Sequence, residues 1–329
     1  MLALSPSGLL QRKSITRCKL VMEIAITVTA VPSQAKLLLD VAAALQRELN
    51  GALEFRWLGQ GEAMDLILPS PEGAPETPQP ADFGRAELAH IEEMVASAAG
   101  DRPVDWCVQR TASRKKRMLI ADVESTIIGQ ESIDEMAELK GIKPEIAAMT
   151  ERSMRGELEF ESGLRERMRL LRGMSEADLQ RVLGRLTLNP GARTLVQSIK
   201  AHGAHTVLVS GGFTFFTSAI AERAGFAANR GNVLLWDDGR LAGAAEPIQG
   251  REAKLAALNE EAAAHGISHS EVIAVGDGAN DLAMLKAAGL SVAYRAKPIL
   301  AADADTQVRY TDLTALLYFQ GYTRDSFAA

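Results

Sequence analysis

Cysteine is scarce in this chain of 329 residues, which contains only Cys18 and Cys107. Two cysteines are too few for a disulfide framework or a cysteine-based zinc cluster, so the composition favours a reducing compartment, and we expect the cytoplasm. Long apolar runs are also missing, because no uninterrupted stretch approaches the roughly 20 residues that a membrane-spanning helix needs. The sequence therefore gives no reason to expect a membrane protein.

Basic residues are in the minority, with 36 Lys and Arg against 42 Asp and Glu and a formal net charge of -6. This balance offers no global electrostatic reason to bind nucleic acid or an anionic membrane, and a small anionic substrate would need a local basic pocket. The content of 47% hydrophobic and 24% charged residues is ordinary for a folded protein. At this length we expect a large core with a small companion domain.

The first 21 residues carry four basic residues and no acidic one, a composition typical of organellar transit peptides. Met22 follows at once and begins the first convincing strand pattern. We therefore interpret residues 1–21 as an upstream start or a disordered leader rather than a targeting signal.

Residues 22–110 show the periodicities of a small α+β domain in the order β-α-β-β-α-β, which fits a ferredoxin-like sandwich. This order is similar to that of ACT-type regulatory domains attached to amino-acid enzymes, so we expect it to bind an amino-acid effector or to support a homodimer. The predicted strands are Glu23–Ala30, Ala52–Leu58, Met64–Leu68 and Val104–Gln109, and the predicted helices are Ser33–Leu49 and Phe83–Ala99.

The basic run at residues 114–117 separates this region from the rest of the chain. It could be a nucleic-acid patch, but no aromatic residues accompany it. We interpret it as a solvated linker that marks a domain boundary.

Residues 111–329 alternate short apolar runs with helical patterns, which predicts an α/β fold with a doubly wound parallel sheet. A hairpin is expected at Val233–Leu241, where Asp238-Gly239 is a strong turn signal. Ligands of such sheets gather beyond the carboxyl ends of the strands, so the polar residues there should converge on one crevice. Three apolar runs end in this way, at Asp122, at Ser210-Gly211-Gly212 and at Gly276-Asp277-Gly278.

These strand ends carry the residues of a phosphoryl-transfer site. Asp122 alone could cap a helix, but a carboxylate nucleophile can also form an acyl phosphate. Glu124 lies two positions later and can project toward a leaving oxygen while Val123 points elsewhere. Asp277 can complete an oxygen-rich site for Mg²⁺, which would screen Asp122 from a phosphate dianion.

From about Arg117 onward, the chain resembles the phosphoserine phosphatases of the haloacid dehalogenase (HAD) superfamily. The resemblance implies a HAD-like core with a helical cap, and Mg²⁺-dependent hydrolysis of O-phospho-L-serine to L-serine and phosphate, the last step of serine biosynthesis. It rests on four motifs in order: Asp-Val-Glu-Ser-Thr at 122–126, Ser-Gly-Gly at 210–212, Lys254, and Gly-Asp-Gly-Ala-Asn-Asp at 276–281.

The resemblance also implies a role for each core residue. Asp122 would be the nucleophile and a metal ligand, and Glu124 would be the acid/base with its backbone carbonyl on the metal. The phosphate would be held by Ser210, Gly211 and Lys254, although Lys254 could instead be a surface lysine. Asp277 would bind the metal, while Asn280 and Asp281 would orient ligands or cap a helix.

A helical cap is expected at about residues 130–188, between Gly129 and Leu188, and substrate choice should come from it. By the resemblance, Glu131 would meet the substrate ammonium and Arg167 its carboxylate through a bidentate fork. Arg167 has no acidic residue one helical turn away, which weakens the alternative of an ion pair along its own helix. Met154 and Phe160 would line the closed pocket or pack as ordinary cap core.

Glu124 departs from the family pattern, which usually has aspartate at this position. The extra methylene extends the carboxyl group by roughly 1.5 Å, and misplacement by about 1 Å can cost on the order of 10²-fold in rate. Two alternatives therefore stand beside the phosphoserine phosphatase. One is another HAD phosphomonoesterase or phosphotransferase, and the other is a catalytically impaired amino-acid sensor.

Overall fold

The structure is a computed structural model that describes residues 23–49, 53–69, 81–154 and 159–328. The expected leader, residues 1–21, lies outside the described residues. No helix in the described part of the chain is long and apolar enough to cross a membrane.

Strands and helices alternate along most of the chain. The strands are β1 (Ile24–Ala30), β2 (Glu54–Gly59), β3 (Ala63–Leu68), β4 (Val104–Arg110), β5 (Met118–Asp122), β6 (His205–Phe213), β7 (Ala228–Asn232), β8 (Leu234–Asp237), β9 (Arg240–Ala244), β10 (Val272–Gly276), β11 (Leu290–Tyr294) and β12 (Thr306–Val308). The helices are α1 (Ala35–Glu48), α2 (Ala81–Ala99), α3 (Ser132–Lys140), α4 (Lys143–Met154), α5 (Phe160–Leu171), α6 (Glu176–Arg185), α7 (Ala192–Ala201), α8 (Thr214–Ala224), α9 (Arg251–Ala264), α10 (Leu282–Ala287), α11 (Pro298–Ala301) and α12 (Ala315–Phe319).

Within the described residues, ten strands form one sheet in the order β2-β3-β1-β4-β12-β11-β10-β5-β6-β7. The last six strands of this order are parallel, as the sequence predicted for the core. The first four are antiparallel and follow the predicted β-α-β-β-α-β order. The predicted hairpin is also confirmed, since β8 pairs with β9 across Asp238-Gly239.

The parallel strands are apolar on both faces because helices cover both faces of the sheet. In β5, Leu119 and Ala121 pack into one cluster with residues of α7, α8 and the cap helices. Met118 and Ile120 point the other way and pack against α9 and α10. This double burial explains why the core strands read as continuous apolar runs rather than alternating ones.

The predicted helical cap consists of α3, α4, α5 and α6, inserted between β5 and α7. The helices contact one another in the pairs α3–α6, α3–α4 and α4–α5, and α5 also packs on β9 of the hairpin. The cap is thus anchored at two places, to the sheet through the chain that follows β5 and to the hairpin through α5.

The antiparallel strands join the core sheet at β4, where Trp106 pairs with Gln307 of β12. The buried carboxylate of Asp105 accepts hydrogen bonds from the backbone N–H groups of residues 309–311 at 2.8 to 3.2 Å. On the face away from α1 and α2, α12 covers the antiparallel strands, and the Tyr318 hydroxyl donates to Glu62 at 2.8 Å. The N-terminal unit is therefore packed against the C-terminal part of the chain.

The interpretation of residues 114–117 as a solvated linker is wrong for two of its members, because Arg114 and Lys116 are buried. The Arg114 guanidinium donates to the buried carboxylate of Asp65 at 2.8 Å. The Lys116 ammonium donates to three backbone carbonyl oxygens at 2.9 to 3.3 Å. Burial is tolerated because each charge has polar partners, and apart from the Ser113 carbonyl these partners lie too far away in sequence for local patterns to reveal.

Asp65→Ala should destabilise the protein strongly, because it leaves the Arg114 charge buried without its ionic partner. Breaking one side of a buried ion pair typically costs about 3–5 kcal/mol. Asp40→Ala is the matched control, since the ion pair of Asp40 with Lys36 is exposed and such pairs contribute about 1 kcal/mol or less. The measurement is the free energy of unfolding in urea. Equal stability of the two variants would contradict this account of the buried pair.

Candidate active site

Three adjacent strands end at the same edge of the sheet, since β5 lies between β10 and β6. Asp122 is the last residue of β5, Ser210 lies near the end of β6, and Asp277 follows β10 directly. Parallel strands present their carboxyl ends together, so the predicted convergence of these polar residues is confirmed.

The chain reverses sharply after Asp122. Val123 turns into the core with 1% of its surface exposed, and Ser125 adopts a left-handed conformation with φ of 58°. The turn closes when the Ile128 amide donates to the Val123 carbonyl at 2.9 Å. Because Val123 points into the core, the flanking Asp122 and Glu124 can both lie at the sheet edge, as predicted.

Lys254 lies in the first turn of α9 and links two carboxylates. Its ammonium donates to Asp122 Oδ1 at 2.5 Å and to Asp281 Oδ1 at 2.6 Å. All three side chains are buried, and that of Lys254 is 3% exposed. The alternative of a surface lysine is excluded by this geometry.

The pKa values at this centre reflect an excess of negative charge. Burial, together with repulsion from Asp281, raises the pKa of Asp122 above its usual range, and Lys254 opposes that shift. Burial and Asp281 likewise raise the pKa of Asp277. Burial alone would lower the pKa of Lys254, but the two attached carboxylates raise it above its ordinary value. A single ammonium among three carboxylates leaves negative charge that favours a cation.

The carboxylates fit a hard divalent cation. Asp122, Asp277 and Asp281 each place an oxygen within 4.8 Å of the others, and oxygen-only ligand sets suit Mg²⁺. Asp281 is already engaged, since its Oδ1 accepts from Lys254 and its Oδ2 accepts from the Asp277 and Gly278 amides at 3.2 and 3.1 Å. Asp122 and Asp277 are therefore the better metal ligands, and Asp281 shapes the loop that presents Asp277.

Glu124 reaches toward the cap rather than toward Asp122. Its Oε1 accepts hydrogen bonds from the backbone N–H of Ser132, at 2.9 Å, and from the Ser132 hydroxyl. Its Oε2 accepts from the Ser210 hydroxyl at 3.1 Å. Ser132 begins α3, so the positive end of the helix dipole faces the carboxylate.

Ser132 is a residue that sequence reasoning missed. The available signal was a serine directly after Glu131 at the expected start of the cap, a position where serine commonly meets a helix terminus. Its partner could not be read from the sequence, because the contact depends on how α3 is placed over the sheet edge.

The two predicted substrate contacts of the cap lie near the same crevice. Glu131 accepts a hydrogen bond from the Ser125 hydroxyl at 2.7 Å. Partial desolvation beside the cap raises the pKa of Glu131 to about 7, with repulsion from Glu124 as the next cause, although the residue as a whole is exposed. Burial lowers the pKa of Arg167, while Glu124, Asp134 and Glu131 oppose that shift as its acidic neighbours.

Phe160 closes the cap onto the strand end. A Cβ atom added to Gly211 would lie 2.8 Å from Phe160 Cζ, so only glycine permits the ring to lie this close. The ring also packs against the main hydrophobic cluster. Phe160 therefore packs in the cap core and lies on Gly211 at the carboxyl end of β6, while lining of the substrate pocket stays a prediction. The side chain of Met154 lies outside the described residues.

The remaining predicted residues line the strand ends. The Ser210 hydroxyl accepts from the Gly212 amide at 2.7 Å, and Gly211 accepts from the Asn232 side chain at 2.8 Å. Asn280 lies against Gly278 in the loop after β10. Lys297, which the sequence reasoning did not consider, places its ammonium 3.8 Å from Asp277. The crevice thus has a basic side chain at its rim besides the buried Lys254.

A parallel sheet with a helical cap and a carboxylate–lysine centre at its strand ends suits an enzyme of the doubly wound α/β class that stabilises a transferring anionic group. Residues 119–286 match the family model of the haloacid dehalogenase-like hydrolases. The chain belongs to this family.

Relatives and solved structures agree with this assignment. A phosphoserine phosphatase from Streptomyces coelicolor is 42% identical over 288 residues, covering 87% of this chain and 70% of the relative. A HAD family hydrolase from Salmonella enterica serovar Typhi has a TM-score of 0.76 at 29% identity and covers 90% of this chain and 98% of that chain. A phosphoserine phosphatase structure described as a phospho-aspartyl intermediate analogue has a TM-score of 0.58 at 36% identity, covering 62% and 99%. The expected enzyme class, a phosphoric monoester hydrolase, is confirmed.

Proposed function

We propose that this protein is a Mg²⁺-dependent phosphoserine phosphatase that hydrolyses O-phospho-L-serine to L-serine and phosphate. The observation that carries the proposal is the meeting of two sets of residues at one sheet edge. Asp122 lies bound to Lys254 beside Asp277, and the cap brings Glu131 and Arg167 to the same crevice. The similar phosphoserine phosphatases support the same substrate.

The metal fits the acidic side of this centre. Asp122 and Asp277 would hold Mg²⁺ through carboxylate oxygens, together with the backbone carbonyl of Glu124, while Asp281 fixes the loop. When bound, the ion supplies positive charge that lets an anionic phosphate approach the Asp122 carboxylate.

Asp122 is the nucleophile in the proposed reaction. Its carboxylate attacks phosphorus, the bond from phosphorus to the serine oxygen breaks, and an aspartyl phosphate forms. Lys254 offsets the charge that develops on the transferring group. Ser210 and the Gly211 amide hold the phosphate oxygens. The phospho-aspartyl analogue of a similar phosphatase supports a covalent intermediate at this position.

Glu124 is the acid/base. Its carboxyl group gives a proton to the departing serine oxygen, and the resulting carboxylate then takes a proton from the water that attacks the aspartyl phosphate. This cycle returns Asp122 to its carboxylate form and Glu124 to its protonated form. The contacts of Glu124 with Ser132 and Ser210 hold its carboxyl group beside the phosphate-binding strand end.

The cap selects the amino-acid part of the substrate. Arg167 binds the substrate carboxylate through its guanidinium fork, and Glu131 binds the ammonium group. The pKa of Glu131 is raised to about 7 in the empty site, and an arriving ammonium group would lower it and favour the carboxylate. Phe160 covers Gly211 and excludes water from the transferring phosphate.

The wider setting follows from the same proposal. We assign residues 22–110 to an ACT-like unit and residues 111–329 to the phosphatase, with the cap at about 130–188. Hydrolysis of phosphoserine would be the last step of serine biosynthesis, and the cytoplasm is the compartment expected from the low cysteine content. An amino-acid effector on the N-terminal unit, a homodimer, and the lack of nucleic-acid or membrane partners remain predictions from the sequence.

Arg167→Ala should cost activity on phosphoserine far more than on phosphoethanolamine, which lacks the carboxylate. We expect kcat/KM for phosphoserine to fall by at least about 30-fold, because losing one partner of a desolvated charge pair typically costs about 2–5 kcal/mol. The measurement is steady-state phosphate release with Mg²⁺. Arg165→Ala is the control, since Arg165 lies on the same helix and forms an exposed pair with Glu246. Equal losses on both substrates would contradict the proposed selectivity.

Glu124→Asp should slow the enzyme, because the shorter side chain cannot keep the contact with Ser132. A displacement of about 1 Å predicts a loss on the order of 10²-fold in kcat. Ser132→Ala should lower kcat in the wild type but have little further effect in Glu124→Asp. Ser218→Ala, at an exposed hydroxyl on α8, is the control.

The same assays separate the alternatives for Glu124. If Glu124→Asp were faster than the wild type, the contact between Glu124 and Ser132 would not be what places the acid/base. Failure of both the wild type and Glu124→Asp to hydrolyse any phosphomonoester with Mg²⁺ would favour the alternative of a catalytically impaired amino-acid sensor.

A further inference from the structure

A second cluster of side chains that could ligate a metal lies at the amino ends of the parallel strands, whereas Asp122 lies at their carboxyl ends. His205 is the first residue of β6, whose far end carries Ser210. Glu261 lies in the last turn of α9, and His265 follows as its C-cap. Residues four apart share one face of a helix, so Glu261 and His265 both face His205. Lys254 lies seven residues before Glu261 on the same helix, which corresponds to about 10 Å along the helix axis.

We propose that His205, Glu261 and His265 form a separate site for a first-row transition-metal dication, with Zn²⁺ as the best fit. The distances match such a site. Glu261 Oε2 lies 2.9 Å from His205 Nε2 and 3.9 Å from His265 Nε2. In a tetrahedral site with bonds of about 2.0–2.1 Å, neighbouring ligand atoms are about 3.4 Å apart. The first distance must lengthen and the second must shorten by about 0.5 Å to reach this value, so both histidines must shift, and the exposed His265 has the room to turn.

The two imidazole rings lie close together and near the same carboxylate, and binding of a shared ion requires one ring to turn out of the stack, which the exposed side chain of His265 permits. Their centroids are 3.8 Å apart and their planes are inclined by 29°, so the rings lie side by side in a stack. Both Nε2 atoms have the same carboxylate oxygen within 4.0 Å. A simple ion pair would use one histidine, whereas two imidazoles and a carboxylate form the donor set of many three-ligand zinc sites.

The carboxylate is held in place from its other side. Arg230 of β7 donates to Glu261 Oε1 from Nε at 3.2 Å and from its terminal nitrogen at 2.7 Å. This leaves Oε2 to the histidines, and hydrogen bonding of a ligating carboxylate is typical of metal sites. Arg230 also pairs with Glu260 at 2.8 Å. The carboxylates of Glu260 and Glu261 thus share the single positive charge of Arg230. The negative charge that is not neutralised favours binding of a dication.

The cluster is accessible to an ion from one side. The side chains of His205 and Glu261 are 14% and 11% exposed, whereas that of His265 is 46% exposed. An ion can enter past His265 and keep a water molecule as its fourth ligand. Bound there, it would tie the end of α9 to the start of β6 and stabilise the fold in proportion to its occupancy.

Calorimetric titration of Zn²⁺ into the full-length protein, with Mg²⁺ in excess, tests the site directly. We expect one zinc equivalent in the wild type and in Asp122→Asn, because the cluster is independent of the catalytic carboxylates. His205→Ala and His265→Ala should each weaken binding at least about tenfold, since even outer hydrogen-bond partners of metal ligands contribute 10–100-fold. His90→Ala, at an exposed histidine of α2, should leave binding unchanged.

Two further readings complete the test. Co²⁺ bound at this site should give the strong visible absorption of a tetrahedral ion, and the absorption should disappear in the variant that lacks both histidines. Zn²⁺ should raise the melting temperature of the wild type but not that of His265→Ala. Because His265 is exposed, its substitution should leave the fold intact, so the lost response would report the loss of zinc binding. Absence of zinc uptake by the wild type, or equal uptake by the double variant, would overturn the proposal. Phosphatase activity enters none of these measurements.

Discussion

The bond between the buried Lys254 ammonium and the carboxylates of Asp122 and Asp281 is the interaction on which the rest of the site depends. It joins the end of β5, the first turn of α9 and the loop after β10. Without the ammonium, these carboxylates would face one another in a water-poor crevice, where ionisation of both is unfavourable. With it, the charged form of Asp122 is favoured at the carboxyl end of β5, and Asp281 can hold the loop that presents Asp277.

A second constraint comes from the cap. Glu124 spans the gap between the sheet edge and α3, because its carboxylate accepts from Ser210 on one side and from Ser132 on the other. Glu124 thus links β6 to the cap. Phe160 makes a second link by lying on Gly211. In the proposed reaction, closing the cap and placing the acid/base are therefore one structural event.

Local sequence patterns predicted the parts of this structure that depend on local burial. The runs before Asp122, Ser210 and Asp277 are apolar because both faces of their strands are covered, and their ends must converge in a parallel sheet. The N-terminal strand and helix order was predictable for the same reason. Lys254 and Asp277 were assigned through their resemblance to family motifs, and the structure brings both to Asp122.

Other features depend on contacts between distant parts of the chain. The strand β7 contains Asn229, Arg230 and Asn232, so its sequence carries no apolar signal. The strand β12 has three residues and joins the N-terminal strands through a single pair. The burial of Arg114 and Lys116 depends on Asp65 and on carbonyl groups far away in sequence. Hydrophobic periodicity indicates whether a segment is buried but not which residues it contacts. These contacts could therefore not be predicted from it.

The central claim is that Asp122 accepts the phosphoryl group. The most direct measurement is rapid quenching of the enzyme during turnover of O-phospho-L-serine, followed by borohydride trapping and peptide mapping of the acyl phosphate. The account predicts the modification on Asp122 and no modification in Asp122→Asn. Turnover without a phosphorylated enzyme, or a phosphoryl group on another residue, would contradict it.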